Sequence, residues 1–151
     1  MKVARMYTTA VLPTREHPTD AGIDLYVDCM REDLKVVIPP HSFGIVHTGI
    51  TVEIEEGYVG LVWPKGSSNY LIGGGVVDSA YQGEILVKVF NILPNNLIFK
   101  HGDPVAQLLI QPVVVTPVEE VSYKEIHKVK SERGDTGGIV EQTKKPTYVQ
   151  G

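Results

Sequence analysis

Cysteine is nearly absent from this sequence: Cys29 stands alone in 151 residues. No internal disulfide can form, and a cysteine-based zinc cluster is excluded. Long apolar runs are missing too. The N-terminus, MKVARMYTTAVLPTREH, has no apolar core of signal-peptide length. No stretch approaches the roughly 18 apolar residues of a membrane span. A cytoplasmic protein without a membrane partner is expected. There is no excess of basic charge either. The net charge of -4 argues against a nucleic-acid partner, since such proteins are usually basic. The histidines, His17, His41, His47, His101 and His127, show no HExxH or paired metal-ligand spacing and read as surface or capping residues. Trp63-Pro64-Lys65-Gly66-Ser67-Ser68 shares residues with a phosphate loop. However, the order Lys-Gly-Ser is reversed from the Gly-Lys-Ser that such a loop needs. The glycines from Gly73 open no helix, so a dinucleotide fingerprint is not expected.

What is present fits one globular domain. The length allows one sizeable core, and 42% hydrophobic with 21% charged residues is ordinary for such a domain. Fifteen glycines and ten prolines punctuate the chain. Short segments rich in valine and isoleucine lie between them. In GITVEIEEG, Ile50, Val52 and Ile54 alternate with Thr51 and Glu53. In GEILVKVFN, Ile85, Val87 and Val89 share one face and Lys88 takes the other. Period-two alternation marks half-buried strands. GYVGLVWP reads as a strand ended by Pro64, and Val105 to Val115 as a strand interrupted at Pro112. SSNYLI and SYKEIHKV are each compatible with a turn or two of helix. The spacing predicts an all-β fold, a distorted sandwich or barrel. The composition shifts near residue 129. We therefore expect a β domain over 1–129 and a flexible, glycine-containing C-terminal tail over 130–151.

The candidate chemistry lies in separated segments. Leu71 to Asp78, LIGGGVVD, can form a hairpin with a tip of nearly bare backbone. Glycine backbone allows close approach of a flat ligand and exposes N–H and C=O groups to it. Asp78 follows, suited to act as a base or to accept a sugar hydroxyl. Tyr81 can present a ring face to a sugar or base. The segment also reads as a plain glycine hairpin with a turn-forming aspartate. Asp24 opens a strand, where aspartate is unfavourable, and so requires a partner or a metal. Lys65 to Ser68 offers one cation and amides able to turn toward phosphate as a nest. Gln107 sits in an apolar strand, either as a satisfied core glutamine or as a pocket residue.

In this order the segments resemble the trimeric dUTPase family. That family carries AGxDL, P-R-S-S/G, GxIDxxY-x-GE, GDRIAQL and RGxGG segments. Here they stand as Ala21 to Leu25, Pro64 to Ser68, Gly75 to Glu84, Gly102 to Leu108 and Arg133 to Gly138. The resemblance implies a jelly-roll-like subunit, a homotrimer with shared active sites, and hydrolysis of dUTP to dUMP and pyrophosphate by water attack at the α-phosphorus. By the same resemblance Gly73, Gly74, Gly75 and Val76 would read uracil, Asp78 would be the base, and Tyr81 would pack where a ribose 2′-hydroxyl should go. Lys65, Gly66, Ser67, Ser68, Gln107 and Arg133 would bind the triphosphate. Asp24 would hold Mg²⁺ through coordinated water.

The chain departs from that pattern in places. Lys65 replaces arginine and loses its bidentate fork. Gly66 replaces serine, Pro104 replaces arginine, and the stretch between Ser68 and Gly73 is short. The tail continues Gly137-Gly138-Ile139-Val140-Glu141, without the aromatic residue and Gly-Ser-Thr-Gly run of the family. Lys144, Lys145 or Tyr148 are the candidates to substitute. Two rival functions follow from the same fold. A dCTP deaminase would need a glutamate where Lys88 stands. A non-catalytic nucleotide-sensing regulator would keep the pocket without turnover.

Overall fold

A computed structural model describes residues 1–30 and 33–132. The chain folds as two compact units, Met1–Val115 and Thr116–Gly151. The tail expected from 130 lies outside the described residues apart from Lys130, Ser131 and Glu132, and Arg133 lies outside them entirely.

The first unit is built from strands: β1 (Lys2–Arg5), β2 (Ile23–Tyr26), β3 (Lys35–Ile38), β4 (Phe43–His47), β5 (Ile50–Glu53), β6 (Tyr58–Trp63), β7 (Leu71–Gly73), β8 (Gly75–Val77), β9 (Leu86–Phe90), β10 (Leu97–Lys100) and β11 (Pro104–Pro112). No helix occurs among the described residues. The helical turns read into SSNYLI and SYKEIHKV are not formed. The first becomes bends running into β7, and the second contains a hydrogen-bonded turn from Ser122 O to Glu125 N. Segments that short do not sustain helix without a packing face.

The strands form two larger antiparallel sheets, in the orders β2-β11-β6-β8 and β4-β9-β7, and two two-stranded sheets, β1-β5 and β10-β3. Side chains from all four meet in one hydrophobic cluster, including Leu25, Ile38, Val46, Ile50, Val62, Val87, Phe99 and Leu108. The alternation of β9 is borne out: Val87 and Val89 are fully buried while Leu86, Lys88 and Phe90 are exposed. Each such buried aliphatic side chain contributes roughly 1.5–3 kcal/mol relative to exposure. Asn91 ends β9 as a buried polar staple. Its Nδ2 donates to the carbonyls of Ile38 at 2.9 Å and Asn95 at 2.8 Å, and its Oδ1 accepts from Leu93 N at 2.9 Å. β11 runs to Pro112 and stops there; Val113 to Val115 continue outside any strand.

One expectation is corrected. Leu71 to Val77 is not a hydrogen-bonded hairpin. β7 pairs with β9, whereas β8 pairs with β6. Only Gly74 separates the two strands, too few residues for the two-residue turn that closes a tight hairpin. The chain instead crosses from one sheet to the other at Gly74. Both strands lie at the edges of their sheets.

Candidate active site

Two clefts carry several of the polar residues singled out by the sequence. The first, of about 360 Å³, is lined by residues that include Asp20, Gly22, Asp24, Lys65 and Gln107. The sheet explains the convergence. β11 lies between β2 and β6, so Gln107 is in register with Asp24 on one side and Trp63 on the other. Lys65 leaves β6 just past Pro64, and its Nζ reaches Asp24 Oδ1 at 2.5 Å. This ion pair is the partner that an aspartate in a strand requires. Gln107 donates from Nε2 to Pro64 O at 2.9 Å and is half-buried. It is therefore a pocket residue and not a core one. Gly22 makes its position possible, since a Cβ there would overlap the Gln107 amide.

Beside this cleft, Ser68 N donates to Lys65 O at 3.1 Å, closing a turn through Gly66 and Ser67. Among the described residues, the amides of Gly66 and Ser67 make no hydrogen bond, which suits them to an anionic ligand. Tyr70 follows. Burial pushes its phenol above the usual tyrosine range, against the opposing effects of the Ser68 hydrogen bond and the nearby Lys65 charge. Its hydroxyl donates to Val105 O at 2.9 Å, and its ring meets Phe99 edge-on at 5.2 Å. Asp20, at the cleft rim, is held below the usual aspartate range by hydrogen bonds from the His17 side chain and backbone. Glu16, His17 and Asp20 bring their ligand atoms within 4.8 Å of one another, all exposed.

The second cleft, of about 560 Å³, is lined by residues of β1 and β5 together with Ser79, Ala80, Tyr81 and Gln82. The loop that supplies these follows β8, which the chain enters from Gly74. On the outer edges of β7 and β8, no ladder partner is present among the described residues, so backbone donors and acceptors on either side of Gly74 are unpaired. Gly73 and Gly75 pack closely, on Lys88 and Val62 respectively, whereas Gly74 faces open space. Val76 is 69% exposed and Asp78 is exposed. No hydrogen bond or ion pair is made by the Asp78 carboxylate among the described residues. Tyr81 is fixed. Its N donates to Asp78 O at 3.0 Å and its hydroxyl to Glu84 O at 2.7 Å.

The structure thus brings Asp24, Lys65 and Gln107 together. It does not bring Asp78 and Tyr81 to them: Asp78 lines neither cleft and follows Val77, which is paired with Gly60 of β6 while Gln107 is paired with Trp63 at the other end of that strand, and Tyr81 lines the second cleft. The histidines were read as lone surface groups, but three stand beside carboxylates. His17 pairs with Asp20 at 3.0 Å, His47 with Glu84 at 3.0 Å, and His101 lies 3.6 Å from the buried Asp28. Local sequence carries no signal for the last two, because the partners are far apart in the chain.

The fold and the clefts define an all-β domain with unpaired backbone at a glycine crossover, an unpartnered carboxylate at the end of the strand that follows, and a separate cleft bearing a lysine, beside amides suited to anions. A family model described as dUTPase matches residues 8–138, and the chain belongs to the dUTPase family. The deoxyuridine 5'-triphosphate nucleotidohydrolase of Mycobacterium marinum is 37% identical over 145 residues, covering 91% of each chain. The protein of the same name from Mycobacterium leprae matches equally, at 37% over 91% of each chain. A solved dUTPase of Staphylococcus bacteriophage 80alpha, with dUpNHpp, superposes with a TM-score of 0.75 at 25% identity, over 89% of this chain and 93% of that one.

Proposed function

We propose that this chain hydrolyses dUTP to dUMP and pyrophosphate, acting as a dUTP diphosphatase in the cytoplasm. The observation that carries the reading is the exposed, unpartnered Asp78 carboxylate placed at the end of β8, the strand that the Gly74 crossover opens. Membership of the family supports it, as do the relatives named as deoxyuridine 5'-triphosphate nucleotidohydrolases. No helix of the described residues is long and apolar enough to cross a membrane.

In this reading the unpaired backbone of Gly73 to Val76 hydrogen-bonds the uracil edge. A cytosine, with its donor and acceptor exchanged, would leave buried groups unpaired. Tyr81, held to Glu84 O, limits space beside the sugar. Asp78 accepts the proton of the attacking water. The water oxygen bonds to the α-phosphorus, the bond from that phosphorus to the α–β bridging oxygen breaks, and pyrophosphate leaves. Lys65, the amides of Gly66 and Ser67, the Ser68 hydroxyl, and Gln107 hold the phosphates, with Arg133 of the tail adding a further cation. Preorganised donors of this kind favour charge developing in the transition state.

The first cleft also fits Mg²⁺. Its carboxylates, Glu16, Asp20 and Asp24, are hard oxygen donors that outnumber the single Lys65 charge in the lining. Such donors suit a cation that keeps several waters. Asp24 would hold it through water, and the ion when bound supplies neutralisation of phosphate charge.

The separation of Asp78 and Tyr81 from the first cleft supports a homotrimer with shared sites, in which one subunit supplies Asp24, Lys65 and Gln107 and another supplies Asp78 and Tyr81. The test is a panel of dUTP, dCTP, dTTP and UTP, following pyrophosphate and ammonia. Pyrophosphate from dUTP well above the other three, without ammonia, supports the reading. Ammonia from dCTP, or binding without turnover, would replace it with a deaminase or a nucleotide sensor.

A further inference from the structure

Glu84 lines neither cleft, yet its side chain is only 14% exposed and fully engaged. Gly49 N donates to Oε1 at 2.8 Å, and His47 Nδ1 lies 3.0 Å from Oε2. An ionised carboxylate only accepts, so Nδ1 of His47 carries the proton of that bond. Position 49 is confined to glycine: its φ is +68°, and a Cβ would press on Ala10 at 2.8 Å and on the Asp28 carboxylate.

The segment that holds Glu84 is tied to the substrate-facing loop at further points. Thr48 Oγ1 donates to Ile85 O at 2.6 Å, Ile85 N to Ile50 O at 2.9 Å, and Thr51 Oγ1 to Gln82 O at 3.3 Å. Within the loop, Glu84 O accepts the Tyr81 hydroxyl, and Tyr81 N closes the turn onto Asp78 O. A continuous set of hydrogen bonds therefore runs from His47 through Glu84 and Tyr81 to Asp78. The charge-assisted link at its root is the strongest class of bond in the set.

We propose that His47 and Glu84 are positioning residues, which fix the Asp78 carboxylate and the Tyr81 ring by anchoring the 78–84 loop to the end of β4. The proposal rests on the dUTP reading above. A displacement of about 1 Å in a reacting group can cost on the order of 10²-fold in rate, so a loosened anchor registers in kcat and in sugar selection before it registers in overall folding.

The variants are His47→Ala, His47→Asn, Glu84→Gln and the double His47→Ala/Glu84→Gln. His47→Ala should lower kcat about tenfold and reduce the dUTP-to-UTP ratio of kcat/KM several-fold, while KM for dUTP changes by less than about threefold. His47→Asn, whose amide N–H can replace Nδ1–H, should recover most of the loss. The double variant should be no worse than the poorer single one, because both substitutions break one link. Hydrogen exchange at residues 79–84, measured without nucleotide, should accelerate in His47→Ala. That reading does not depend on dUTP being the substrate, so failure of the anchor and failure of the functional reading are distinguishable. Unchanged exchange overturns the proposal. So does a lowered melting temperature with unchanged kcat and selectivity, since the pair would then be structural only. If His47→Ala does not fold, Glu84→Gln is measured in its place, and the same two results overturn the proposal.

Discussion

Lys65 Nζ stands 2.5 Å from Asp24 Oδ1, with the two side chains 21% and 18% exposed. The chain brings these residues from 41 positions apart because β11 bridges β2 and β6. In the proposed site one is a phosphate cation and the other the outer anchor of Mg²⁺. Without nucleotide, each neutralises the other.

Lys65→Met removes the cation and leaves the Asp24 carboxylate partly buried. Stability should fall by about 1 kcal/mol, near the upper end for a pair that keeps contact with water. The fall in kcat/KM for dUTP should be larger, roughly 10²-fold, because a phosphate contact is lost in the transition state. Lys65→Arg should retain activity. Thermal melts and steady-state kinetics on the same preparations check both.

Asp78→Asn should leave the fold and the affinity for dUpNHpp close to normal. The carboxylate makes no hydrogen bond or ion pair among the described residues, so its conversion to an amide of the same shape breaks no such link. Turnover should fall by about 10²–10⁴-fold, the usual contribution of a positioned base. Near-normal kcat in this variant would remove Asp78 from the mechanism.

Gly83→Ala should act like a substitution of Tyr81. A Cβ at position 83 would stand 2.7 Å from Tyr81 Cζ, too close for any real contact, so the ring must move. The dUTP-to-UTP ratio should drop in both Gly83→Ala and Tyr81→Ala. A ratio unchanged in both would mean that the ring packs without reading the sugar.

Tyr70 gives a pH signature. Burial raises its phenol, so the neutral form is favoured in the folded state. The corresponding stability is fully present below the ordinary tyrosine value of about 10. It is lost as pH rises from there through the raised folded value. Tyr70→Phe should remove that alkaline dependence and cost about 1 kcal/mol at neutral pH through the lost bond to Val105 O. Denaturant unfolding between neutral and alkaline pH measures both.

The strands were legible where one face is buried and the other wet. Ile50 and Val52 of β5, and Val87 and Val89 of β9, alternate because each strand covers the core on one side only. The crossover at Gly74 was not legible. LIGGGVV has no polar alternation to set a register, and the partners of β7 and β8 are chosen by β9 and β6, elsewhere in the chain. Asp78, Tyr81, Lys65 and Gln107 stood out by residue type against their neighbours. The separation of Asp78 and Tyr81 from the cleft of Lys65 and Gln107 did not, since it follows from the sheet order. The pairing of His47 with Glu84 was hidden for a similar reason: the partners lie 37 positions apart, and each looks ordinary in its own segment.

In the proposed trimer, Asp78 acts on a nucleotide whose phosphates are held by Asp24, Lys65 and Gln107 of another subunit. Mixing tests this most directly. Asp78→Asn and Asp24→Asn chains, each nearly inactive alone, are unfolded together at equal concentration and refolded. In a symmetric oligomer with sites shared between neighbours, random mixing restores about one quarter of the sites to wild-type composition. Turnover of dUTP near that fraction of wild type is expected. If the mixture is no more active than the separate variants, although mass analysis shows that the chains have mixed, the residues act within one subunit and the sites are not shared.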